Sequence, residues 1–180
     1  MSVNYALLMT EGSTEAAFLE VLLAKGLLRF KREELLMEKI FHSRQIDGEI
    51  VGFVQLLPNG DDVSIYRVGD SLNDALRIPK SILPSKIRSR IDISTTPEFE
   101  ILFIINEGLH DAYLKVKSRQ KPSSFYKGAN RLYNKQASFV KEYFTSMGKK
   151  EIVGLVKRYV HLHGKSLPKD KKSLLEIMTA

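Results

Sequence analysis

The sequence predicts an α/β fold, a parallel sheet flanked by helices, with a basic helical extension at the C-terminus. Three observations predict it. Asn4 to Thr10 is a continuous apolar run of strand length, as expected for a strand buried on both faces. A helical period begins directly after it at Ser13, which gives strand, turn and helix in immediate succession. Two later strands, Val63 to Val68 and Lys86 to Ser94, are β-branched and alternating, and helix signals follow the second of them.

The first strand ends in Glu11, Gly12 provides the turn, and Ser13 is the expected N-cap of a helix carrying Glu15 in its first turn. Phe18, Val21, Leu22 and Lys25 form one stripe of that helix, Ala16, Leu19 and Leu23 widen it, and Gly26 closes it. Lys31 to Lys39 is charged and helix-prone, and Ile40 to Ile46 reads as a short second strand. Gly48 to Leu57 suits either a helix or a strand, and the turn signal Pro58-Asn59-Gly60-Asp61-Asp62 ends it. Val63 to Val68 then delivers Gly69-Asp70-Ser71-Leu72-Asn73-Asp74 at its C-terminal end.

In the strand from Lys86 to Ser94, Ile87, Ser89, Ile91 and Ile93 alternate with Arg88, Arg90 and Asp92. Thr95-Thr96-Pro97-Glu98-Phe99-Glu100 predicts a helix start, with proline at the first helical position and acids in the first turn. That helix is expected to run to about Lys117 and, through Phe99, Leu102, Phe103, Ile104, Ile105 and Leu109, to be deeply buried. From Lys115 the chain becomes a basic loop carrying Phe125 and Tyr126, followed by helices around Asn134 to Met147, Lys149 to His161 and Lys171 to Met178. The expected organisation is an α/β domain over residues 1–114 with the extension, residues 115–180, packed on it.

A chain of 180 residues with 43% hydrophobic content is sufficient for one domain with its own core. The absence of cysteine excludes disulfides, thiolate metal sites and cysteine nucleophiles, and suits a reducing cytoplasm. No apolar run is long enough to span a bilayer and no secretory signal opens the chain, so the expectation is a cytoplasmic protein without a membrane partner. The net charge of +7 is unevenly distributed: residues 1–114 carry 12 basic and 17 acidic side chains, residues 115–180 carry 16 and 4. The first part is suited to hold a divalent cation, the second to follow a phosphate backbone.

Three elements present carboxylates where an open α/β sheet gathers function: Glu11 with Glu15, Asp70 with Asp74, and Glu98 with Glu100. Oxygen-only acidic groups suit Mg²⁺ or Mn²⁺, which bind few carboxylates, keep water ligands and meet substrate phosphates. Lys121, Lys127, Arg131 and Lys135, with Phe125 and Tyr126 among them, combine charge for phosphates with rings for base stacking. Anchoring of the two rings on the core is the alternative reading.

Glu11-Gly12-Ser13-Thr14-Glu15, then Phe18-Leu19, then about sixty residues later a strand ending in Asp70, resembles the Toprim domain of OLD-family and RloB-like proteins of bacterial and phage defence. Thr96-Pro97-Glu98-Phe99-Glu100, running into Leu102 and His110, is similar to the acidic helix start that follows the aspartate motif there. The resemblance covers residues 4–112. It implies a Toprim sheet, Glu11 as general acid/base near the scissile phosphate, and Asp70 and Asp74 holding one or two Mg²⁺ ions with Glu15, Glu98 or Glu100. It also implies DNA or RNA as substrate and a protein partner in a defence system. Asp70 and Asp74 lie four apart where the usual motif is Asp-x-Asp, and no Gly-x-x-x-x-Gly-Lys-Ser/Thr is present. The alternative is a Toprim-like module that binds nucleic acid or protein without cutting.

Val68-Gly69-Asp70-Ser71-Leu72-Asn73-Asp74-Ala75-Leu76 is also similar to the late acidic motif of haloacid dehalogenase-like phosphatases. That superfamily requires an upstream Asp-x-Asp-Gly, and Gln45-Ile46-Asp47-Gly48 has Gln45 where the nucleophile belongs. His42, His110, His161 and His163 show no zinc spacing, and no Gly-x-Ser-x-Gly elbow is present.

Overall fold

A computed structural model describes residues 2–179. Its centre is one all-parallel sheet of β1 (Asn4–Thr10), β2 (Phe41–His42), β3 (Asp62–Gly69) and β4 (Ile87–Ser94), in the order β2-β1-β3-β4. The apolar run of β1 is explained by burial on two sides. Ala6 and Leu8 join Tyr66, Val68 and Ile93 in the larger core, while Leu7 and Met9 join Val63 and Ile65 in the smaller one. The second strand is only two residues long, because β2 pairs with β1 solely at Met9 and Thr10.

The larger core lies under α1 (Ser13–Ala24), and the smaller one under α2 (Gly48–Leu56). Helix α1 buries Ala17, Phe18, Leu19, Val21, Leu22 and Leu23, because the sheet covers one of its sides and α6 (Ala137–Ser146) another. At about 1.5–3 kcal/mol for each large apolar side chain, this burial outweighs any single cap. The cap itself departs from expectation. Gly12 is the N-cap, makes no side-chain bond, and leaves Ser13 as the first helical residue. The ambiguous Gly48 to Leu57 stretch is a helix because the Asp47 carboxylate accepts a hydrogen bond from the Ile50 amide at 3.0 Å. Asp47 thus serves as the N-cap of α2.

The single helix expected from Pro97 to Lys117 is two short ones, α3 (Ile101–Asn106) and α4 (His110–Leu114). Gly108, at φ +70°, separates them in a backbone region where side chains other than glycine are strained. The basic segment is not a loop throughout, since Pro122–Ala129 forms α5 with proline at its start. Helix α7 (Lys149–His163) follows α6, and Tyr126, Tyr133, Phe144, Ile152, Val156 and Tyr159 from this region extend the larger core. The expected last helix is reduced to a short 3-10 turn, Leu174–Ile177. Lys172 instead pairs with the edge of β4: its amide donates to Asp92 O at 2.8 Å and its carbonyl accepts from the Ser94 amide at 2.9 Å. Among the described residues, no helix is long and apolar enough to cross a membrane.

Candidate active site

Three strands deliver their carboxylates to one edge because their ends are joined by backbone hydrogen bonds. The Glu11 amide donates to Val68 O at 2.9 Å, and the Thr95 amide to Gly69 O at 3.0 Å. Past these links the chain turns away, so Glu11, Asp70 and Glu98 emerge side by side. A cleft of about 230 Å³ is lined there by Glu11, Glu15, Asp70, Glu98 and Glu100, with Arg44 and Lys135 as its cations.

Each carboxylate is held differently. Glu11 Oε2 accepts from the Ser71 amide at 3.0 Å and the Leu72 amide at 3.4 Å, and its Oε1 lies 3.4 Å from Arg44 Nη2. Glu15 is buried in the first turn of α1, where the Thr14 hydroxyl donates to it at 2.8 Å. Glu98 Oε2 accepts from the Ser123 amide at 2.9 Å, which fixes the start of α5 against the cleft. Buried Glu100 accepts from the Tyr133 hydroxyl at 2.5 Å and has Lys135 Nζ at 3.9 Å. Among the described residues, the Asp70 carboxylate accepts only from the adjacent Ser71 hydroxyl, at 3.2 Å.

The site is short of positive charge. Burial pushes the Glu15 carboxyl above the usual carboxylate range, and the charges of Asp70 and Glu100 add to it. Burial likewise raises Asp70, with Glu11 and Glu98 contributing. The phenol of Tyr133 is pushed up by its burial and by the hydrogen bond that it donates to Glu100. The hydroxyls of Thr10 and Thr95, at the ends of β1 and β4, are buried without a hydrogen-bond partner among the described residues.

An oxygen-only donor set with carboxyls held above their usual range fits a hard divalent cation in kind. Among the described residues, however, no three His, Asp or Glu side chains converge closely enough to enclose an ion. Mg²⁺ does not require that, since it is commonly bound by one or two carboxylates together with water and substrate phosphates.

Asp74 is not brought to this cleft. It lines a second one, of about 260 Å³, on the other side of Glu11, and its carbonyl accepts from Arg67 Nη1 and Nη2 at 3.1 and 3.2 Å. The two aromatic candidates are not a stacking platform. Tyr126 is fully buried, stacks on Phe103 at 4.9 Å, and donates its hydroxyl to Glu107. Half-buried Phe125 packs edge-on against Tyr113 at 5.4 Å. Both rings anchor α5 because the larger core continues beneath it. Lys121, Lys127 and Arg131 are exposed, and only Lys135 of the basic candidates lines the acidic cleft.

Sequence reasoning missed Arg44, Arg67 and Tyr133. An arginine inside the apolar strand Val63 to Val68 was the available signal for Arg67, and the other two depend on loop conformation. Comparison of the chain with protein-family models, curated proteins and solved structures finds no match.

Proposed function

We propose that this chain is a Toprim-type, divalent-cation-dependent phosphodiesterase acting on nucleic acid. One observation carries the reading: Glu11, Glu15, Asp70, Glu98 and Glu100, from the ends of three adjacent parallel strands, line a single open cleft. The crevice beyond the carboxyl ends of the strands is where open α/β sheets bind ligands. In this reading Glu11 and Asp70 hold Mg²⁺ or Mn²⁺, which supplies Lewis-acid stabilisation of the phosphate when bound. Glu98 and Glu100 shape the cleft floor, Lys135 offsets the charge at Glu100, and exposed Lys121, Lys127 and Arg131 contact the backbone of DNA or RNA. A role in phage defence with a protein partner belongs to the same proposal and rests on the resemblance alone.

The competing reading is a Toprim-like module that binds without cutting. It is favoured by the two amides and the arginine that already occupy the Glu11 carboxylate, and by Asp74 lining a different cleft from Glu15, Asp70, Glu98 and Glu100. Calorimetric titration of Mg²⁺ and Mn²⁺ into wild type and Asp70→Ala, paired with cleavage assays on single- and double-stranded DNA and RNA, separates the two. Metal binding lost in the variant, together with metal-dependent cutting, supports the enzyme. Salt-sensitive nucleic-acid binding with neither metal binding nor cutting supports the module.

A further inference from the structure

The second cleft lies against the first and differs from it in balancing two acids, Glu11 and Asp74, with two arginines, Arg44 and Arg67. Met9, Val68 and Leu72 are its apolar lining, and the rest is polar: Thr10, Glu11, Ser43, Arg44, Arg67, Ser71, Asn73 and Asp74. At its base is Arg67, which projects from β3 and is only 3% exposed. Among the described residues its two hydrogen bonds go to one carbonyl, that of Asp74. The nearest carboxylate, Asp92, is 3.9 Å away and is engaged by Arg90, whose Nη2 and Nε approach it at 2.7 and 3.3 Å. Among the described residues, Arg67 therefore shares the Asp92 carboxylate with Arg90, so this buried guanidinium has only part of one carboxylate's charge at salt-bridge range, an arrangement that is costly unless something else offsets it.

Arg44 stands at the rim with its side chain 69% exposed. It reaches Glu11, which belongs to both clefts and forms the wall between them. The Glu11 carboxylate shows what this corner accepts, since an anionic oxygen sits there on the Ser71 and Leu72 amides with an arginine beside it. The opposing charges lining this cleft are Glu11, which Arg44 already meets, and Asp74, which lies at the exposed rim where water screens it.

We propose that Arg67 and Arg44 form a phosphate subsite on the α2 side of Glu11, which takes the phosphodiester group next to the one placed over Asp70. The inference rests on the phosphodiesterase reading for the identity of the ligand, but not for the existence of the anion site. A guanidinium fork matches phosphate oxygens in pairs, and a partly enclosed cleft strengthens that bond relative to open solvent. Neighbouring clefts with a shared wall suit consecutive phosphates of one strand. Ser43, Ser71 and Asn73 supply hydroxyl and amide groups around the same space.

The test uses the full chain without divalent cation. Inorganic phosphate and a short oligothymidylate are titrated into wild type, Arg44→Ala, Arg67→Lys and the control Lys157→Ala, an exposed site on α7. Binding is followed by calorimetry and by amide and arginine side-chain NMR shifts. The expected result is shifts confined to Arg67, Arg44, Ser43, Ser71 and Asn73, with affinity for both probes reduced roughly tenfold in Arg44→Ala, the scale of one charge-assisted hydrogen bond. Arg67→Lys is expected to weaken binding while keeping the charge, because the fork is lost. Phosphate binding without oligonucleotide binding would assign the site to a free nucleotide or phosphate and overturn the polynucleotide part. Shifts elsewhere, or Arg44→Ala binding as tightly as Lys157→Ala, would overturn the subsite itself. Intact phosphate binding in a protein that never cleaves would sink the phosphodiesterase reading and leave the subsite standing.

Discussion

The Glu11 carboxylate at the end of β1 accepts a hydrogen bond from the Ser71 amide beyond the end of β3, at 3.0 Å. That bond spans 60 positions of sequence and aligns the two strand ends from which the candidate metal ligands emerge. Gly69 makes the approach possible: a Cβ there would lie 2.5 Å from Glu11 Oε2 and 2.6 Å from Glu11 Cβ. The second distance matters more, since the Cβ of Glu11 moves only with its backbone.

Gly69→Ala is therefore expected to displace Glu11 and to cost about 1–3 kcal/mol, as overpacking of a tight site does. For a chain of this size each kcal/mol is about 2–4 °C in Tm. The expected outcome is a lowered Tm by calorimetry together with Mn²⁺ binding weakened as in Glu11→Gln. Unchanged thermal and metal-binding behaviour would show that the bond does not organise the cleft.

Glu15 gives a pH-dependent stability with a definite sign. Its folded carboxyl is raised by burial first and by Asp70 and Glu100 second, so the folded chain holds this proton more tightly than the unfolded chain. Stability from this group is therefore full below the ordinary glutamate range. It falls as the pH rises from there through the raised folded value, and stays low at neutrality. Glu15→Gln is expected to raise Tm by a few degrees at pH 7 without divalent cation and to match wild type near pH 4. Calorimetry at the two pH values checks this, and a variant less stable than wild type at pH 7 would contradict it.

Tyr133 holds Glu100 from beneath the cleft. Tyr133→Phe keeps the ring packed against Phe103, 5.6 Å away, but removes the hydroxyl that Glu100 accepts from. Leaving a buried acceptor unsatisfied costs about 1–3 kcal/mol. A Tm lowered by roughly 2–12 °C is expected, and Glu100→Gln in the same background is expected to recover part of it. If the double variant is no better than Tyr133→Phe, the carboxylate was not the group left unpaired.

His110 and His163 face one another with their Nε2 atoms 3.1 Å apart, which requires one ring to donate and the other to accept. Burial lowers both, and His163, with His110 contributing, is pushed down to about 4. The groups around them are Asp111, which favours the proton on His110, and Arg158 and Lys117, which oppose it. Because the folded pKa values are depressed, stability is full above the ordinary histidine value and is lost as the pH falls from about 6.5 toward 4. His163→Gln is expected to flatten Tm across that window, as thermal melts at half-unit intervals would show. A variant melting curve with the wild-type slope would assign the acid sensitivity elsewhere.

The sequence alone determined β1, β3 and β4 and the places where they stop, but not the two-residue β2. β1 could be read because burial on both faces demands a continuous apolar run, and β3 and β4 because β-branched residues alternate along them. Glu11, Glu15, Asp70, Glu98 and Glu100 could be proposed together because each follows a strand, and parallel strands end on one side of a sheet. What separates Asp74 from them is the path of the loop after Asp70, where Ser71 and Leu72 turn their amides to Glu11 and the Asp74 carbonyl is drawn to Arg67. No periodicity encodes that path, because it is fixed by partners from other strands. The same reason governs Tyr126, whose basic neighbours suggested a binding surface, although the core beneath α5 claims the ring. It governs Lys171 to Met178 as well, where helix-forming residues are held by the free edge of β4. Local sequence sets which segments extend or coil, whereas the competition between loop groups for buried hydrogen-bond partners is settled only when distant segments meet.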